Sequence, residues 1–128
     1  MGTGFKGGAS FYRSIGQNIM ITSSSYRYRN GYFGDNSPHG GNSTRNIIAN
    51  DNLSAAKDFY DKIAFGGKEQ TVNSNTMITH MSDGTVITMR KVSSSDGTPV
   101  VDINIIQSHG SGGVKSQKIH FVKGVKKK

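Results

Sequence analysis

The sequence predicts an α+β domain in which one main helix packs on a twisted, four- to five-stranded antiparallel sheet. Apolar residues keep helical spacing over one long stretch, about 52–64. The residues that follow alternate between apolar and polar side chains and are punctuated by glycine-containing turns. At 128 residues with a hydrophobic fraction of 33%, the chain is the size of one domain, residues 1–128, with one modest core.

The signals before the main helix are weak. Residues 1–9 are rich in glycine, and we expect them to be flexible. A short helix is predicted by four loosely spaced apolar residues: Phe11, Ile15, Ile19 and Ile21. Gly16 disfavours this helix. Residues 22–46 are polar and are predicted to form one long loop, a feature that in compact domains is usually functional or disordered.

The main helix has a clear apolar stripe and both end signals. The stripe consists of Leu53, Ala56, Phe59, Tyr60 and Ile63. Asp51 or Asn52 can cap the first turn, and Gly66-Gly67 ends the helix.

Two strands joined by a turn at Asp83-Gly84 are predicted after the helix. In the first strand, one face is predicted to carry Met77, Thr79 and Met81, and the other Thr76, Ile78 and His80. The second, about Thr85–Val92, places one set of side chains on one face: Val86, Thr88, Arg90 and Val92.

Two further strands complete the predicted sheet. Pro99 opens the third strand, in which Asp102 points away from a core face formed by Val101, Ile103 and Ile105. In the last strand Ile119 and Phe121 are predicted to point inward, and Lys118 and His120 outward.

The charge of the chain favours an anionic partner. The net charge is +8, every acidic residue lies at or before Asp102, and six lysines follow it. Nucleic acid, an anionic membrane surface and an acidic protein all fit the charge. The chain has no cysteine, which excludes disulfides, a thiol nucleophile and thiolate metal sites. No apolar run approaches the ~20 residues of a membrane span, so we expect no membrane association of the folded domain.

The histidines do not form a metal-binding pattern, because the four of them are scattered without HxH or HExxH spacing. We therefore predict no metal and no cofactor. Metal-free cleavage of RNA needs a base for the 2′-hydroxyl, an acid for the leaving oxygen and cations for the phosphorane. A histidine can supply the proton transfers, and the other groups are available here: Arg90, Lys118, Thr88 and Ser94.

Alternative structural roles stand beside these chemical ones. His39 and His109 are loop residues that can simply be solvated, and His120 can be an exposed sheet residue beside Lys118. Arg90 can pair with Asp102 on the next strand, bind phosphate, or do both with Asp102 orienting it. His80 is expected to be a surface residue.

A second group of residues is predicted to bind RNA. The stretch Tyr26–Arg29 interleaves aromatic and cationic side chains, which is typical of a base-stacking platform. The alternative is an edge strand with both tyrosines packed inward and both arginines in solvent. The predicted RNA-binding residues are Arg27, Tyr28, Arg29, Lys91, and Lys123 and Lys126 of the basic tail, residues 123–128.

The C-terminal half carries a family resemblance. The stretches 83–105 and 117–121 resemble C-terminal toxin domains of contact-dependent growth inhibition (CdiA-type) proteins. The resemblance implies the barnase/EndoU/colicin/RelE fold and a metal-independent ribonuclease, with tRNA as the substrate of the colicin D-like members. It also implies export as the C-terminal part of a larger surface protein and delivery to the cytoplasm of a target cell.

The same resemblance implies site residues and partners. Colicin D-type domains carry a catalytic histidine in a glycine-containing segment before the main helix, where this chain has Pro38-His39-Gly40-Gly41. His120 and His109 are the alternatives. The implied partners are a cognate immunity protein that covers the active site and, in some members, elongation factor EF-Tu.

The sequence therefore supports three hypotheses of different classes. The first is an interbacterial toxin domain that cleaves tRNA, with His39 as acid or base. The second is a non-catalytic RNA-binding module. The third is a toxin of another chemistry, such as an ADP-ribosyltransferase, for which Arg90 and Ser93–Ser95 are suggestive. The third lacks a plausible catalytic glutamate, since the one glutamate, Glu69, is predicted to lie in a loop.

Overall fold

The protein folds into a seven-stranded sheet with the main helix packed on one face. The computed structural model describes residues 12–37, 41–93, 97–107 and 111–124. Its elements in chain order are a 3-10 helix (Ile15–Asn18), α1 (Ile19–Ser23), β1 (Tyr28–Arg29), β2 (Tyr32–Phe33), β3 (Asp35–Asn36), β4 (Thr44–Ile48), α2 (Asn52–Ile63), β5 (Lys68–Thr71), β6 (Thr76–His80), β7 (Val86–Arg90), β8 (Val100–Asn104) and β9 (Gln117–Val122). The expectations for residues 1–9, His39, Ser94, His109 and Lys126 fall outside the described ranges.

The α+β class is confirmed, but the predicted size of the sheet is wrong. The strand order is β3-β4-β9-β8-β7-β6-β5, and β1 and β2 form a separate hairpin. All neighbours are antiparallel except β4 and β9, which run parallel. The extra strands come from two places. The strand β3 and the start of β4 lie in the predicted long loop, and β5 lies just after α2, where Glu69 had been predicted in a loop.

The main helix is confirmed by its cap and its buried stripe. The Asp51 side chain accepts a hydrogen bond from the Ser54 amide at 3.1 Å, which satisfies one unpaired N–H of the first turn. Four of the five stripe residues are buried: Ala56, Phe59, Tyr60 and Ile63. The fifth, Leu53, is 37% exposed. No helix in the described ranges combines the length and the apolar character needed to cross a membrane.

The two faces of the sheet differ in character. The face against α2 is apolar along the central strands: Ile87, Met89, Val101, Ile103, Ile119 and Phe121 are all buried. Phe59 of α2 reaches this face, with its ring centroid 5.6 Å from that of Phe121. We call the other side of the sheet the open face. It carries the alternate residues of the same strands: Thr88, Arg90, Asp102, Lys118 and His120.

The prediction of one long loop at residues 22–46 is wrong. Asn30 and Gly31, with φ of +55° and +87°, form a two-residue turn that joins β1 to β2. Gln117 fastens this hairpin to β9, since its Nε2 donates to the Gly31 carbonyl at 2.9 Å and its Oε1 accepts from the Phe33 amide at 2.8 Å. The predicted helix near Phe11–Ile21 is shorter and starts later, at Ile15.

Candidate active site

Two rows of side chains cross the open face. Antiparallel and parallel pairing place four residues of the first row opposite one another on neighbouring strands: Thr88, Asp102, Lys118 and Thr44. The second row lies two residues further along each strand and consists of Arg90, Val100, His120 and Asn46. Directly opposed side chains on neighbouring strands are in contact range, so each row is a set of potential partners.

A cavity of about 450 Å³ opens on the first row. We call it the open-face cavity. All four residues of the first row line it, together with Val86, Ile103, Asn104, Ser43, Ser116 and Gln117. It lies at the end of the sheet where β4 and β9 begin and β8 ends. The cavity therefore brings one carboxylate, one ammonium group and several hydroxyls to a single solvent-facing site.

Asp102 is a titratable group in this cavity whose pKa is shifted by its surroundings. Burial raises the pKa of its carboxyl, and the nearby charges of Lys118 and Arg90 lower it by less. Lys118 faces it directly across the β8–β9 pair. Among the described residues no ion pair joins Asp102 to either cation; those present are Arg27–Asp35 and Lys62–Asp58. Asp102 is thus a carboxylate of raised basicity with cations nearby.

Arg90 and Asp102, whose pairing was one of the alternatives for Arg90, are not directly opposite each other on β7 and β8. Arg90 lies opposite Val100, and it is Thr88 that lies opposite Asp102. Arg90 is half-buried on the open face. Its charge still acts on Asp102, because it lowers the pKa of that carboxyl. Arg90 and Asp102 are diagonal neighbours rather than a hydrogen-bonded pair.

His120 lies on the open face as predicted, but it is buried there, which contradicts the alternative of an exposed sheet residue. The side chain is 7% exposed, and its Nδ1 lies 3.0 Å from the Thr98 hydroxyl. The reason is that residues 97–99 lead into β8 beside it; the Pro99 carbonyl, for example, accepts the Phe121 amide at 2.9 Å. His120 does not line the open-face cavity, although it lies one row away from Asp102.

The predicted RNA-binding residues are not gathered at one place. Lys91 follows β7 and Lys123 follows β9, both at the end of the sheet opposite the open-face cavity. The Tyr28 ring packs on Phe33, with centroids 4.5 Å apart, and Tyr26 packs on Phe59. The arginines that alternate with them, Arg27 and Arg29, are exposed. Packed tyrosines and exposed arginines agree with the alternative to a base-stacking platform, although β1 belongs to a separate hairpin and not to an edge of the main sheet.

A second cavity, of about 540 Å³, lies beside the hairpin and was missed by the sequence reasoning. We call it the arginine pocket. It is lined by Arg27, Arg29, Asn30, Tyr32, Gly34, Asp35, Asn36, Asn42, Arg45 and Lys115. Arg45 is on β4 and is only 8% exposed. The β-branched pair that ends β4, Ile47-Ile48, was the signal for this strand.

His39 and Ser94, two of the predicted catalytic residues, lie outside the described part of the chain. Within that part, no three His, Asp or Glu side chains are arranged to hold a metal ion. A comparison with protein-family models finds no match, and comparisons with curated proteins and with solved structures find none either. The comparisons therefore neither support nor contradict the toxin-like resemblance of the sequence.

Proposed function

We propose that this domain is a metal-independent endoribonuclease that cleaves RNA in the open-face cavity by transesterification through the 2′-hydroxyl. One observation carries the proposal: Asp102, a half-buried carboxylate, faces Lys118 in a cavity that also holds Thr88 and Thr44. A proton acceptor, a cation and hydroxyl donors are the groups that this reaction requires. The net charge of +8 suits a polyanionic substrate.

Asp102 is the general base in this proposal. Its carboxylate accepts the 2′-hydroxyl proton while the 2′-oxygen attacks the phosphorus. The bond from phosphorus to the 5′-oxygen then breaks, leaving a 2′,3′-cyclic phosphate and a free 5′-hydroxyl. The raised pKa of Asp102 makes it a stronger base than an exposed aspartate.

The two cations stabilise the negative charge of the phosphorane. Lys118 reaches the cavity directly, and Arg90 lies in the next row on the same face. Thr88 and Thr44 can donate hydrogen bonds to the non-bridging oxygens from either side of the Asp102–Lys118 pair. Asp102 therefore acts as the base and also keeps Lys118 and Arg90 near the reacting phosphate.

A histidine is proposed to protonate the leaving 5′-oxygen. His39 is the residue that the family resemblance implies, and His120 is the alternative among the described residues. A ribonucleoside 3′-(p-nitrophenyl phosphate) separates them, because its leaving group needs no acid. Substituting the true acid lowers the rate on RNA but not on the aryl ester. His39→Ala and His120→Gln are compared on both substrates.

The biological setting proposed is an interbacterial toxin domain with tRNA as substrate. The support for it is the resemblance of residues 83–105 and 117–121 to CdiA-type toxin ends. An immunity protein and, for some relatives, EF-Tu would then be partners. Co-expression with the gene directly downstream tests this setting, because a cognate immunity protein abolishes toxicity.

The test of the activity uses purified protein and total tRNA in the presence of EDTA, with and without added bacterial cell extract. Discrete tRNA fragments under EDTA are expected. Intact tRNA under every condition would contradict the proposal.

A non-catalytic RNA-binding module is the second candidate. The arginine pocket favours it, because four cationic side chains can bind a phosphate without any catalytic proton acceptor beside them. The two functions differ in what Asp102→Asn does. A catalytic domain loses its toxicity on expression while it keeps its affinity for RNA, whereas a binding module shows no toxicity to lose.

A further inference from the structure

The arginine pocket carries a strong excess of positive charge. Four cationic side chains line it, and one carboxylate, Asp35, accompanies them. Asp35 is already engaged by Arg27 at 3.4 Å. The remaining lining groups that can contact a ligand are neutral donors and acceptors, the amides of Asn30, Asn36 and Asn42 among them. The pocket is therefore suited to an anion and not to a cation or an apolar ligand.

Arg45 gives this pocket a charge that forms no ion pair with any carboxylate of the described residues. Its guanidinium donates to the carbonyls of Phe33, Gly34 and Asn42 at 3.0, 2.7 and 3.2 Å, and to the Asn36 side chain. All of these acceptors are neutral. Its Cζ also lies over the Tyr32 ring, 5.0 Å from the ring centroid. A nearly buried cation surrounded by neutral acceptors is costly, and a bound anion offsets that cost.

The arginine pocket and the open-face cavity are neighbours around one end of the sheet. Consecutive residues line the two of them: Asn42 and Ser43, Thr44 and Arg45, Lys115 and Ser116. Backbone separates the two cavities, and the Lys118 amide joins its two segments by donating to the Ser43 carbonyl at 2.8 Å. Because Thr44 and Arg45 are adjacent on β4, their side chains point to opposite sides of it.

We propose that the arginine pocket binds a backbone phosphate of the same RNA strand that is cleaved in the open-face cavity, so that the strand bends over the start of β4 and β9. This inference rests on the proposed function and adds a second phosphate-binding subsite to it. Arg29, Lys115 and Arg27 contact the phosphate, and Arg45 is a positioning residue that also contributes charge. The site favours a flexible single strand, since a rigid duplex cannot follow the end of the sheet.

The experiment measures binding without cleavage. A fluorescent single-stranded RNA octamer with 2′-O-methyl groups throughout cannot be cut by transesterification, and its affinity is followed by anisotropy at several salt concentrations. The test variant is Arg29→Gln/Lys115→Gln. Its matched control is Lys57→Gln/Lys68→Gln, which removes the same charge from exposed residues that line neither cavity. Thermal unfolding of each variant verifies that it is folded.

The expected result is a loss of affinity specific to the pocket. The Arg29/Lys115 variant should bind the octamer roughly a hundredfold more weakly, about tenfold for each charge-assisted contact. The slope of log K against log salt should shrink by about 0.7, because the pocket holds one backbone phosphate and each phosphate contact that is lost removes about 0.7 for a single strand. The control pair should stay within about twofold, and a dinucleotide should bind both variants equally.

Two outcomes overturn the inference: equal losses in the test and control variants, or equal losses for the octamer and the dinucleotide. The cleavage of an unmodified octamer is measured in parallel. Pocket-dependent binding without any cleavage would remove the proposed ribonuclease activity but leave the pocket as an RNA-binding site. If the octamer is cleaved but its binding does not depend on the pocket, the ribonuclease proposal stands and the pocket is not an RNA-binding subsite.

Discussion

Asp102 on β8 and Lys118 on β9 lie directly opposite each other, on the sheet face that α2 leaves open. Neither forms an ion pair with the other among the described residues. Burial dominates the pKa of Asp102 and raises it, despite the opposing charges of Lys118 and Arg90. A carboxylate kept basic beside two cations is a costly arrangement for stability alone, and it is characteristic of a functional site.

Asp102→Asn separates function from stability. We expect RNA cleavage to fall by about 10²–10⁴-fold, the usual contribution of a general base. The free energy of unfolding at pH 7 should not fall, because the substitution removes a partly buried charge. Activity assays and urea unfolding measure the two effects. Asp61→Asn, on the exposed side of α2, is the control and should change neither.

The pH dependence of stability follows from the same residue. The folded-state pKa of Asp102 is raised above its unfolded value of about 4, so the folded state binds this proton more tightly. This contribution to stability is fully present below the unfolded pKa and is lost as the pH rises through the folded pKa. As the pH rises from about 3 to about 7, the wild type should therefore lose stability relative to Asp102→Asn, whose amide does not titrate. The opposite trend in urea unfolding would mean that an ion pair stabilises the Asp102 charge.

Lys118→Gln tests the cation that faces the reacting phosphate. We expect kcat to fall by about 10²–10³-fold with little change in KM, because the charge develops in the transition state. Lys57→Gln makes the same change on the exposed surface of α2 and should have little effect. A rise in KM at constant kcat would place Lys118 in substrate binding instead.

Gln117→Leu tests the attachment of the hairpin that forms one wall of the arginine pocket. Gln117 bonds the Gly31 and Lys115 carbonyls and the Phe33 amide, and the substitution leaves the buried Phe33 amide without a partner. We expect a loss of about 2–4 kcal/mol in the free energy of unfolding. Gln70→Leu on the exposed strand β5 should stay within about 0.5 kcal/mol. Equal losses of unfolding free energy in the Gln117 and Gln70 variants would mean that Gln117 does not stabilise the attachment of the hairpin to β9.

The elements with strong periodicity were predictable from the sequence. The α2 stripe combines helical spacing with a capping aspartate, and both appear in the structure. The core residues of β8 and β9, such as Ile103 and Ile119, alternate with polar neighbours, so their faces were predicted as observed.

The elements that were missed lack that alternation. On β4 the inward position is taken by Arg45, which is held by carbonyls and the Tyr32 ring, and a charged residue there hides the strand pattern. The edge strand β5 is exposed along its whole length and has no apolar face to detect. The Asn30-Gly31 dipeptide is a strong hairpin signal that the polar surroundings obscured.

The candidate site was predictable as a face but not as a set of contacts. Alternation alone places Thr88, Asp102 and Lys118 on one side of the sheet. It does not specify register, and the step that puts Thr88 rather than Arg90 opposite Asp102 depends on the pairing of β7 with β8. The burial of His120 depends on the path of residues 97–99, which no local pattern indicates.

The chemistry of the RNA ends tests the central claim most directly. Wild-type protein and Asp102→Asn are incubated with tRNA in EDTA, and the new 3′ ends are analysed by mass spectrometry. The account predicts 2′,3′-cyclic phosphate ends from the wild type, almost none from the variant, and no cut where the 2′-hydroxyl is replaced by hydrogen. Cleavage that persists in the Asp102→Asn variant, or at a 2′-deoxy position, would contradict it.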